Sequence, residues 1–80
     1  MWYVYQIVNT AGNYRYLRIT QNPDERIKKH NNGSTKSTKA YRPFNKIRII
    51  KIAKTRIEAR KLEIYYKSGV GREVLKNIGD

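Results

Sequence analysis

Glu63 is the one acidic residue of this sequence that no local structural role explains. The 80 residues carry 18 lysines and arginines but only 6 aspartates and glutamates, which gives a formal charge of +12. The other acids stand where a helix start, a capping box, a helix dipole or the chain end accounts for them: Asp24, Glu25, Glu58, Glu73 and Asp80. Glu63 falls instead in the middle of a predicted helix, so its carboxylate is the first candidate for a chemical role.

A chain this basic is expected to bind a polyanion such as nucleic acid. An isolated carboxylate on its surface would repel phosphate unless a cation lay between the two. Mg²⁺ suits that place, because it commonly takes one or two protein carboxylates and completes its shell with water and phosphate oxygens. Such a metal can acidify a bound water and neutralise the charge that develops on the phosphate. Glu63 therefore indicates metal-dependent phosphodiester hydrolysis, with Mg²⁺ or Mn²⁺ as the cofactor.

Other residues have types and spacings that suit the same chemistry. Arg26 and His30 are four residues apart, so they share one face of a predicted helix. A guanidinium suits phosphate because it can donate two parallel hydrogen bonds. Tyr16 and Arg18 flank Leu17 and therefore share one face of a predicted strand.

Each of these residues also has an ordinary structural explanation. Tyr5 and Tyr16 could be cross-strand aromatic partners. His30 could be a cation that complements the dipole in the last turn of its helix, and Arg26 could be a solvated helix residue. Glu63 could pair with basic residues of its own helix, namely Arg56, Arg60 or Lys67.

Hydrophobic patterns place the candidate residues on short elements. Strands are predicted over 2–8, 14–20 and 46–53, and helices over 23–30, 55–68 and 72–77. The third strand breaks its alternation once, which predicts either a bulge or a central strand buried on both faces. Asn22-Pro23 and Thr55 are typical helix starts, and Gly33 and Gly69 typical stops. The expected fold is of the α/β (α+β) class: a small, three-stranded, mostly antiparallel sheet flanked by helices, in the order β-β-α-β-α-α.

Length and composition bound the remaining possibilities. Eighty residues allow a single domain over 1–80. The absence of cysteine excludes disulfides, zinc-thiolate sites and cysteine nucleophiles. Met1 leads directly into a strand pattern and no apolar run approaches 18 residues, so we expect no signal peptide, no membrane partner and a cytoplasmic location. The sequence leaves open whether the protein is a monomer or a weak dimer.

A basic, polar segment over 34–42 separates the first helix from the third strand. We expect it to contact phosphate, although a merely solvated loop would have the same composition. The residues predicted to bind nucleic acid, most simply DNA, are Arg18, Lys29, Lys36, Lys39, Arg42 and Arg72.

The ordered set Tyr3-Val4-Tyr5, Tyr16-Leu17-Arg18, Arg26, His30 and Glu63 resembles the GIY-YIG endonuclease superfamily. It is most similar to the small single-domain branch related to the excision-repair endonuclease subunit. The stretches at 59–63 and 67–72 are similar to the C-terminal signature of that family, so the resemblance covers nearly the whole chain. It implies a metal-dependent endonuclease domain in which Glu63 holds a divalent cation and Arg26 binds the scissile phosphate. By the same resemblance Tyr5 and Tyr16 position or activate water, and His30 is an accessory residue.

Arg18 is the main departure from this family pattern, because it stands where the second motif ends in glycine. Glycine there permits close approach of backbone or substrate. Arg18 instead places a permanently charged guanidinium on the face of Tyr16. Glu63 is the anion within its reach that has no other assigned role, so we expect the two side chains to approach each other. Arg18 favours one alternative, a catalytically inactive relative that binds nucleic acid through charge. A second alternative is a basic ribosome- or nucleic-acid-associated interaction module with no catalytic site, in which Glu63 would be freely replaceable.

Overall fold

The computed structural model describes residues 1–77. Its elements in chain order are β1 (Trp2–Asn9), β2 (Arg15–Thr20), α1 (Pro23–Asn31), a 3₁₀ turn (Lys39–Tyr41), β3 (Phe44–Ala53), α2 (Arg56–Lys67) and α3 (Gly69–Asn77). The predicted order β-β-α-β-α-α and the α+β class are confirmed. No helix in this part of the chain is long and apolar enough to cross a bilayer.

The sheet has the order β2-β1-β3, and both strand pairs are antiparallel. In the β1–β2 hairpin, Tyr5 lies opposite Arg18 and Ile7 lies opposite Tyr16. The two tyrosines are therefore diagonal rather than directly opposite neighbours on adjacent strands, and both belong to the same apolar cluster, as the structural explanation for them expects. Since β1 is the central strand, each functional residue on it has a neighbour from an edge strand.

The break in the alternation of β3 is a bulge. Val4 pairs with Lys51 while the next residue, Tyr5, pairs with Ile49, so Ile50 is the extra residue of β3. The alternative of a central strand buried on both faces is wrong, because β3 is an edge strand and Ile47 and Ile52 are 43% and 55% exposed.

Two apolar clusters lie on opposite faces of the sheet. On one face Tyr5 and Ile7 pack with Phe44 and with Ile27 of α1. On the other face Val4 packs with aromatic and aliphatic residues of α2, α3 and the strands, including Tyr66 and Leu75. Adjacent residues of β1 therefore face different helices, as the two-residue period of a strand requires.

The helix starts follow the predicted capping chemistry. Asn22 caps α1 and accepts a hydrogen bond from the Glu25 amide at 3.3 Å, and Thr55 caps α2 and accepts from the Glu58 amide at 3.2 Å. Gly69 follows the end of α2, as predicted, but it is also the first residue of α3. The last helix therefore begins at 69 rather than at the predicted 72. Glu73 consequently lies beyond the first turn of α3. That first turn contains no acidic residue, so the expected place of Glu73 near the positive end of the helix dipole is wrong.

Gly71 is the glycine that the packing of α3 requires. A Cβ atom on Gly71 would overlap the carbonyl oxygen of Tyr65 and the backbone of Tyr66. The start of α3 therefore lies directly against the end of α2. This contact fixes α3 on the same side of the sheet as Glu63.

Candidate active site

Glu63 lies on α2 and is only 2% exposed. Three cationic groups surround its carboxylate. Arg60 Nη1 lies 3.3 Å from Oε1, Lys67 Nζ lies 3.4 Å from Oε2, and Arg18 Nε also lies 3.4 Å from Oε2. Charged side chains from α2 and β2 therefore contact both oxygens of this buried carboxylate.

Two of these cations come from the helix that carries Glu63. Arg60 and Lys67 are three and four residues away from it, as the structural alternative foresaw. Arg56, the third residue considered for that role, lies instead with its guanidinium carbon 5.9 Å from the centre of the Trp2 ring.

Arg18 reaches Glu63 from β2, so the predicted approach of these two side chains is confirmed. Its guanidinium carbon also lies 5.8 Å from the centre of the Tyr16 ring, and 46% of its side chain is exposed. Arg18 thus connects the carboxylate to the aromatic residues of the sheet while remaining open to solvent and to ligands.

The carboxylate of Glu63 fits a hard divalent cation in its donor chemistry, because Mg²⁺ prefers oxygen ligands and commonly takes only one or two carboxylates. Within residues 1–77, no three His, Cys, Asp or Glu side chains come together to hold a metal. Water and phosphate oxygens would therefore supply the other ligands. The three cations contact the same two oxygens, so a metal ion has to compete with them.

A second buried polar group lies on the other face of the sheet and centres on His30. The ring of His30 is fully buried, with Nε2 3.1 Å from the Tyr5 hydroxyl and Nδ1 2.8 Å from the Thr38 hydroxyl. The Tyr16 ring meets the His30 ring edge-on with centres 5.1 Å apart. His30 is therefore not a solvated last-turn cation but the centre of a hydrogen-bonded chain.

Burial shifts the pKa values of this group away from the charged forms. Desolvation raises the pKa of Tyr5 above its ordinary value of 10.0, and the hydrogen bond from Arg26 and its charge only partly oppose that rise. Desolvation, followed by the charges of Arg26 and Arg18, lowers the pKa of His30 below 6.5. Both residues are consequently neutral near pH 7.

Arg26 joins this buried group to the protein surface. It is half-buried, its charge opposes the rise in the pKa of the Tyr5 hydroxyl, and it lines an open cleft. Arg26 is therefore not simply a solvated helix residue. Its shared helix face with His30 brings both side chains to Tyr5, as the four-residue spacing predicts.

Two clefts flank Arg18, which lines both of them. The first, of about 410 Å³, lies between the end of β2, α1 and α2, and its cations are Arg18, Arg26, Lys29, Arg56 and Arg60. The second, of about 800 Å³, runs along β2 and α3, and its cations are Arg15, Arg18, Arg48, Lys67, Arg72 and Lys76. Among the described residues, the first cleft has one acidic residue in its lining, Glu25, and the second has one, Glu73. The electrostatic character of both clefts suits a phosphodiester backbone.

The structure distributes the predicted nucleic-acid-binding residues over three places. Lys29 lines the first cleft, Arg72 lines the second and Arg18 lines both. The remaining three, all exposed and all outside the two cleft linings, belong to the segment after α1: Lys36, Lys39 and Arg42.

The segment over 34–42 is folded against the sheet rather than merely solvated. The ring of Tyr41 stacks on Tyr14 with centres 3.8 Å apart. The guanidinium of Arg42 fills the space that a side chain at position 33 would occupy. Gly33 leaves that space open, and its backbone has a φ of +82°. Thr38 is fully buried against His30. The three basic residues of the segment are therefore presented from a defined position.

Sequence reasoning missed Thr38 and the basic residues that complete the second cleft, Arg15 and Arg48. Only the strand alternation could have signalled Arg15 and Arg48, because it places them on the face of the sheet opposite Tyr5. No signal in the sequence distinguishes Thr38 from the neighbouring polar residues of its segment.

Comparisons with known proteins agree with the geometry. The family model of the GIY-YIG catalytic domain matches residues 1–76, which is nearly the whole chain. Neither curated proteins nor solved structures gave a significant match. The chain is therefore a member of the GIY-YIG family, and this membership implies nuclease-type activity on DNA.

Proposed function

We propose that this domain is a metal-dependent endonuclease that hydrolyses phosphodiester bonds in DNA. The observation that supports it is a connected cluster built from four parts of the fold. Glu63 on α2 contacts Arg18 on β2, whose guanidinium lies over the neighbouring Tyr16 ring. The Tyr16 ring meets His30 of α1, and His30 is hydrogen-bonded to Tyr5 on β1. Arg26 acts on the Tyr5 hydroxyl and lines a basic cleft. The cluster brings together every residue type that the reaction requires.

Glu63 is the proposed ligand of a divalent cation, Mg²⁺ or Mn²⁺. When bound, such an ion supplies an acidified water and charge neutralisation at the phosphate. The protein supplies the position of Glu63, since α2 holds the carboxylate against Arg18, Arg60 and Lys67, whose side chains line the clefts.

Arg26 is the proposed ligand of the scissile phosphate. It lines the first cleft together with four further cations. Its guanidinium also acts on the buried Tyr5 hydroxyl, whose pKa it lowers, so it lies between that hydroxyl and the cleft. A guanidinium held in this way can donate two parallel hydrogen bonds to phosphate oxygens without a large loss of entropy.

Tyr5 and Tyr16 are proposed to assist the attack of water, with His30 as their accessory. The two tyrosines occupy different environments. Tyr5 is fully buried and has a hydrogen-bond partner in His30 Nε2. Tyr16 is half-buried and lines the second cleft. Replacing each in turn by Phe separates their contributions, because the ring and its packing are retained.

Nucleic acid is the proposed partner, bound along both clefts and the segment over 34–42. Arg18, Lys29 and Arg72 would contact the backbone within the clefts. Lys36, Lys39 and Arg42 would contact it from the exposed segment. Because these contacts are ionic, binding is expected to weaken steeply as salt is raised.

The test is incubation of the purified protein with plasmid, branched and single-stranded DNA in Mg²⁺, Mn²⁺ or EDTA. Cleavage that requires a divalent ion and is lost in Glu63→Gln supports the proposal. Absence of cleavage of every substrate in both metals, by protein that still binds DNA, contradicts it.

A second function is favoured by one observation, the pairing of Arg18 with Glu63. If this pair excludes the metal permanently, the domain binds DNA by charge and does not cut it. The same assay separates the two functions when it includes Arg18→Gly, because a domain whose metal site is closed by Arg18 would cleave DNA only after the guanidinium is removed.

A further inference from the structure

Thr38 is the buried residue of an otherwise exposed basic segment. Its side chain is fully buried, whereas Lys36, Ser37 and Lys39 around it are exposed. The Thr38 hydroxyl lies 2.8 Å from His30 Nδ1 and 3.3 Å from the carbonyl oxygen of Thr35. It is therefore the last polar side chain of the chain that begins at Arg26 and Tyr5.

The hydroxyl hydrogen of Tyr5 has one suitable acceptor in this group. Tyr5 is fully buried, and Arg26, whose charge acts on the Tyr5 hydroxyl, has only donors to offer. His30 Nε2 lies 3.1 Å away. If Nε2 carried a hydrogen, it would donate to the Tyr5 oxygen, and the hydroxyl hydrogen of Tyr5 would be buried without an acceptor in this group, which is costly. Tyr5 must therefore donate to an unprotonated Nε2.

The other end of the ring leads to the same assignment. A neutral imidazole with a bare Nε2 carries its hydrogen on Nδ1, so Nδ1 donates to the Thr38 hydroxyl. The hydroxyl hydrogen of Thr38 is then available for the Thr35 carbonyl. All donors and acceptors are satisfied when every hydrogen bond runs in one direction, from Arg26 and Tyr5 through His30 and Thr38 to the backbone.

We infer that Thr38 is a positioning residue, which holds His30 in the tautomer that accepts a hydrogen bond from Tyr5 and thereby aims the Tyr5 oxygen at Arg26. This inference deepens the proposed function, because Arg26 is the proposed phosphate ligand. It also links the segment over 34–42 to the cluster, since the residue that sets the tautomer belongs to that segment.

The test uses the chain's single histidine, which makes its ring signals unambiguous. Long-range ¹H–¹⁵N correlation of uniformly ¹⁵N-labelled protein near pH 7 reports which ring nitrogen carries the hydrogen. The expected result is a protonated Nδ1 and an unprotonated Nε2. A hydrogen on Nε2 in the wild-type protein would overturn the assignment, whether or not the protein cleaves DNA.

Variants of Thr38 separate positioning from packing. Thr38→Val keeps the volume but removes the hydroxyl, and should shift His30 at least partly to the Nε2-protonated tautomer. Thr38→Ser should retain the wild-type spectrum. Ser37→Ala, which removes an exposed hydroxyl from the neighbouring position, is the matched control. An unchanged tautomer in Thr38→Val would show that Thr38 does not set it.

A kinetic measurement then connects the tautomer to the reaction. Cleavage by Thr38→Val should fall about tenfold or more, since displacement of a positioned group can cost up to ~100-fold. Thr38→Ser should restore the cleavage rate, and DNA affinity should change little.

If Thr38→Val does not fold, the wild-type protein can still test the proposal. The proposal requires a slowly exchanging hydrogen on His30 Nδ1, and a rapidly exchanging hydrogen there contradicts it. Failure of cleavage in all proteins, with the expected tautomer, would count against the nuclease function alone.

Discussion

His30 and Glu63 are both buried ionisable residues, but the structure buries them in opposite ways. His30 is 0% exposed and lies in a chain of neutral hydrogen bonds with Tyr5 and Thr38. Glu63 is 2% exposed and lies among three cations. Neutral, directional contacts specify one arrangement, because each donor needs its own acceptor. Ionic contacts with long side chains can be exchanged for another cation.

The comparison assigns different physical roles to the two regions. The partners of His30 are themselves fully buried, so this region is a rigid support for Arg26. The partners of Glu63 are about half exposed, from 46% to 56%, so water and salt reach them. Ion pairs of that kind are individually weak. A replaceable cation shell around a fixed carboxylate suits a site that must accept a metal ion.

The largest expected effect comes from Glu63→Gln. The substitution removes the proposed metal ligand and one charge that repels DNA, so cleavage should be abolished while DNA binding is intact or slightly tighter. Plasmid nicking and a fluorescence binding assay measure the two quantities. Glu58→Gln is the matched control, because it makes the same change at an exposed position of the same helix. Metal-dependent cleavage that persists in folded Glu63→Gln would remove Glu63 from the site.

Arg26→Ala should come next in size. Loss of one preorganised electrostatic group raises the barrier by at least ~2.7 kcal/mol, or about 100-fold in rate. Single-turnover cleavage rates measure the change. Lys28→Ala, on the exposed side of the same helix, should stay close to the wild type. A loss smaller than about tenfold would mean that Arg26 does not bind the scissile phosphate.

Arg18→Gly should have a smaller effect, on metal affinity. Arg18 competes for Glu63 Oε2 but is 46% exposed, so its contribution is that of a screened pair, about 0.2–1 kcal/mol. Mn²⁺ titrated by calorimetry in the absence of DNA should bind up to about fivefold more tightly to Arg18→Gly.

Two further variants control for the backbone and the charge at this position. Arg18→Ala should behave like Arg18→Gly without the loss of strand stability that glycine causes. Arg18→Lys retains a cation and should remain close to wild type. If metal affinity is the same in all four proteins, Arg18 does not restrict access to the carboxylate.

The smallest expected effect is on stability in mild acid. The folded pKa of His30 is lowered, chiefly by burial, so the unfolded chain takes up a proton near pH 6.5 that the folded chain refuses. The corresponding stability is present above pH 6.5 and is lost as the pH falls from there through the folded pKa. The groups that face the ring also disfavour a protonated His30, because none of them is an anion that could pair with it: Tyr5, Tyr16, Arg18, Arg26, Thr38 and Phe44.

Urea unfolding between about pH 5 and pH 8 measures this slope, above the range in which most carboxylates titrate. His30→Gln keeps a polar side chain but cannot gain a charge, so its stability should be nearly flat over the same range. An equal slope in both proteins would assign the acid sensitivity to other groups.

Local sequence signals predicted most of the fold. The slip among the isoleucines of β3 predicted either a bulge or a central strand buried on both faces, and the structure has the bulge, with Ile50 as the extra residue. Asn22 and Thr55 predicted the helix starts because capping depends on the nearest three residues. The helix predicted over 72–77 begins three residues earlier, at Gly69, so Gly71 lies inside it. Position 71 must be glycine because the backbone of Tyr65, on the preceding helix, lies where a side chain would stand. No local pattern encodes this contact between two helices.

The candidate site was predictable where periodicity or charge determines position. The four-residue spacing placed Arg26 and His30 on one face, and the scarcity of anions predicted that Arg18 would meet Glu63. Thr38 was not predictable, because its burial depends on how the segment over 34–42 folds back onto α1. That the two clefts meet at Arg18 depends likewise on three elements packing together.

The position of β1 at the centre of the sheet also limits which changes of length the domain can tolerate. Val4 contributes to one face and Tyr5 to the other. Deletion of one residue within β1 would exchange the faces and direct the Tyr5 hydroxyl toward α2 and α3, away from His30. The hairpin turn at Gly12 is exposed, and no atom lies within 4 Å of where a Cβ would stand. Insertions that relatives of this chain acquire, or that an engineer adds, therefore belong in that turn and not in the strand beside it.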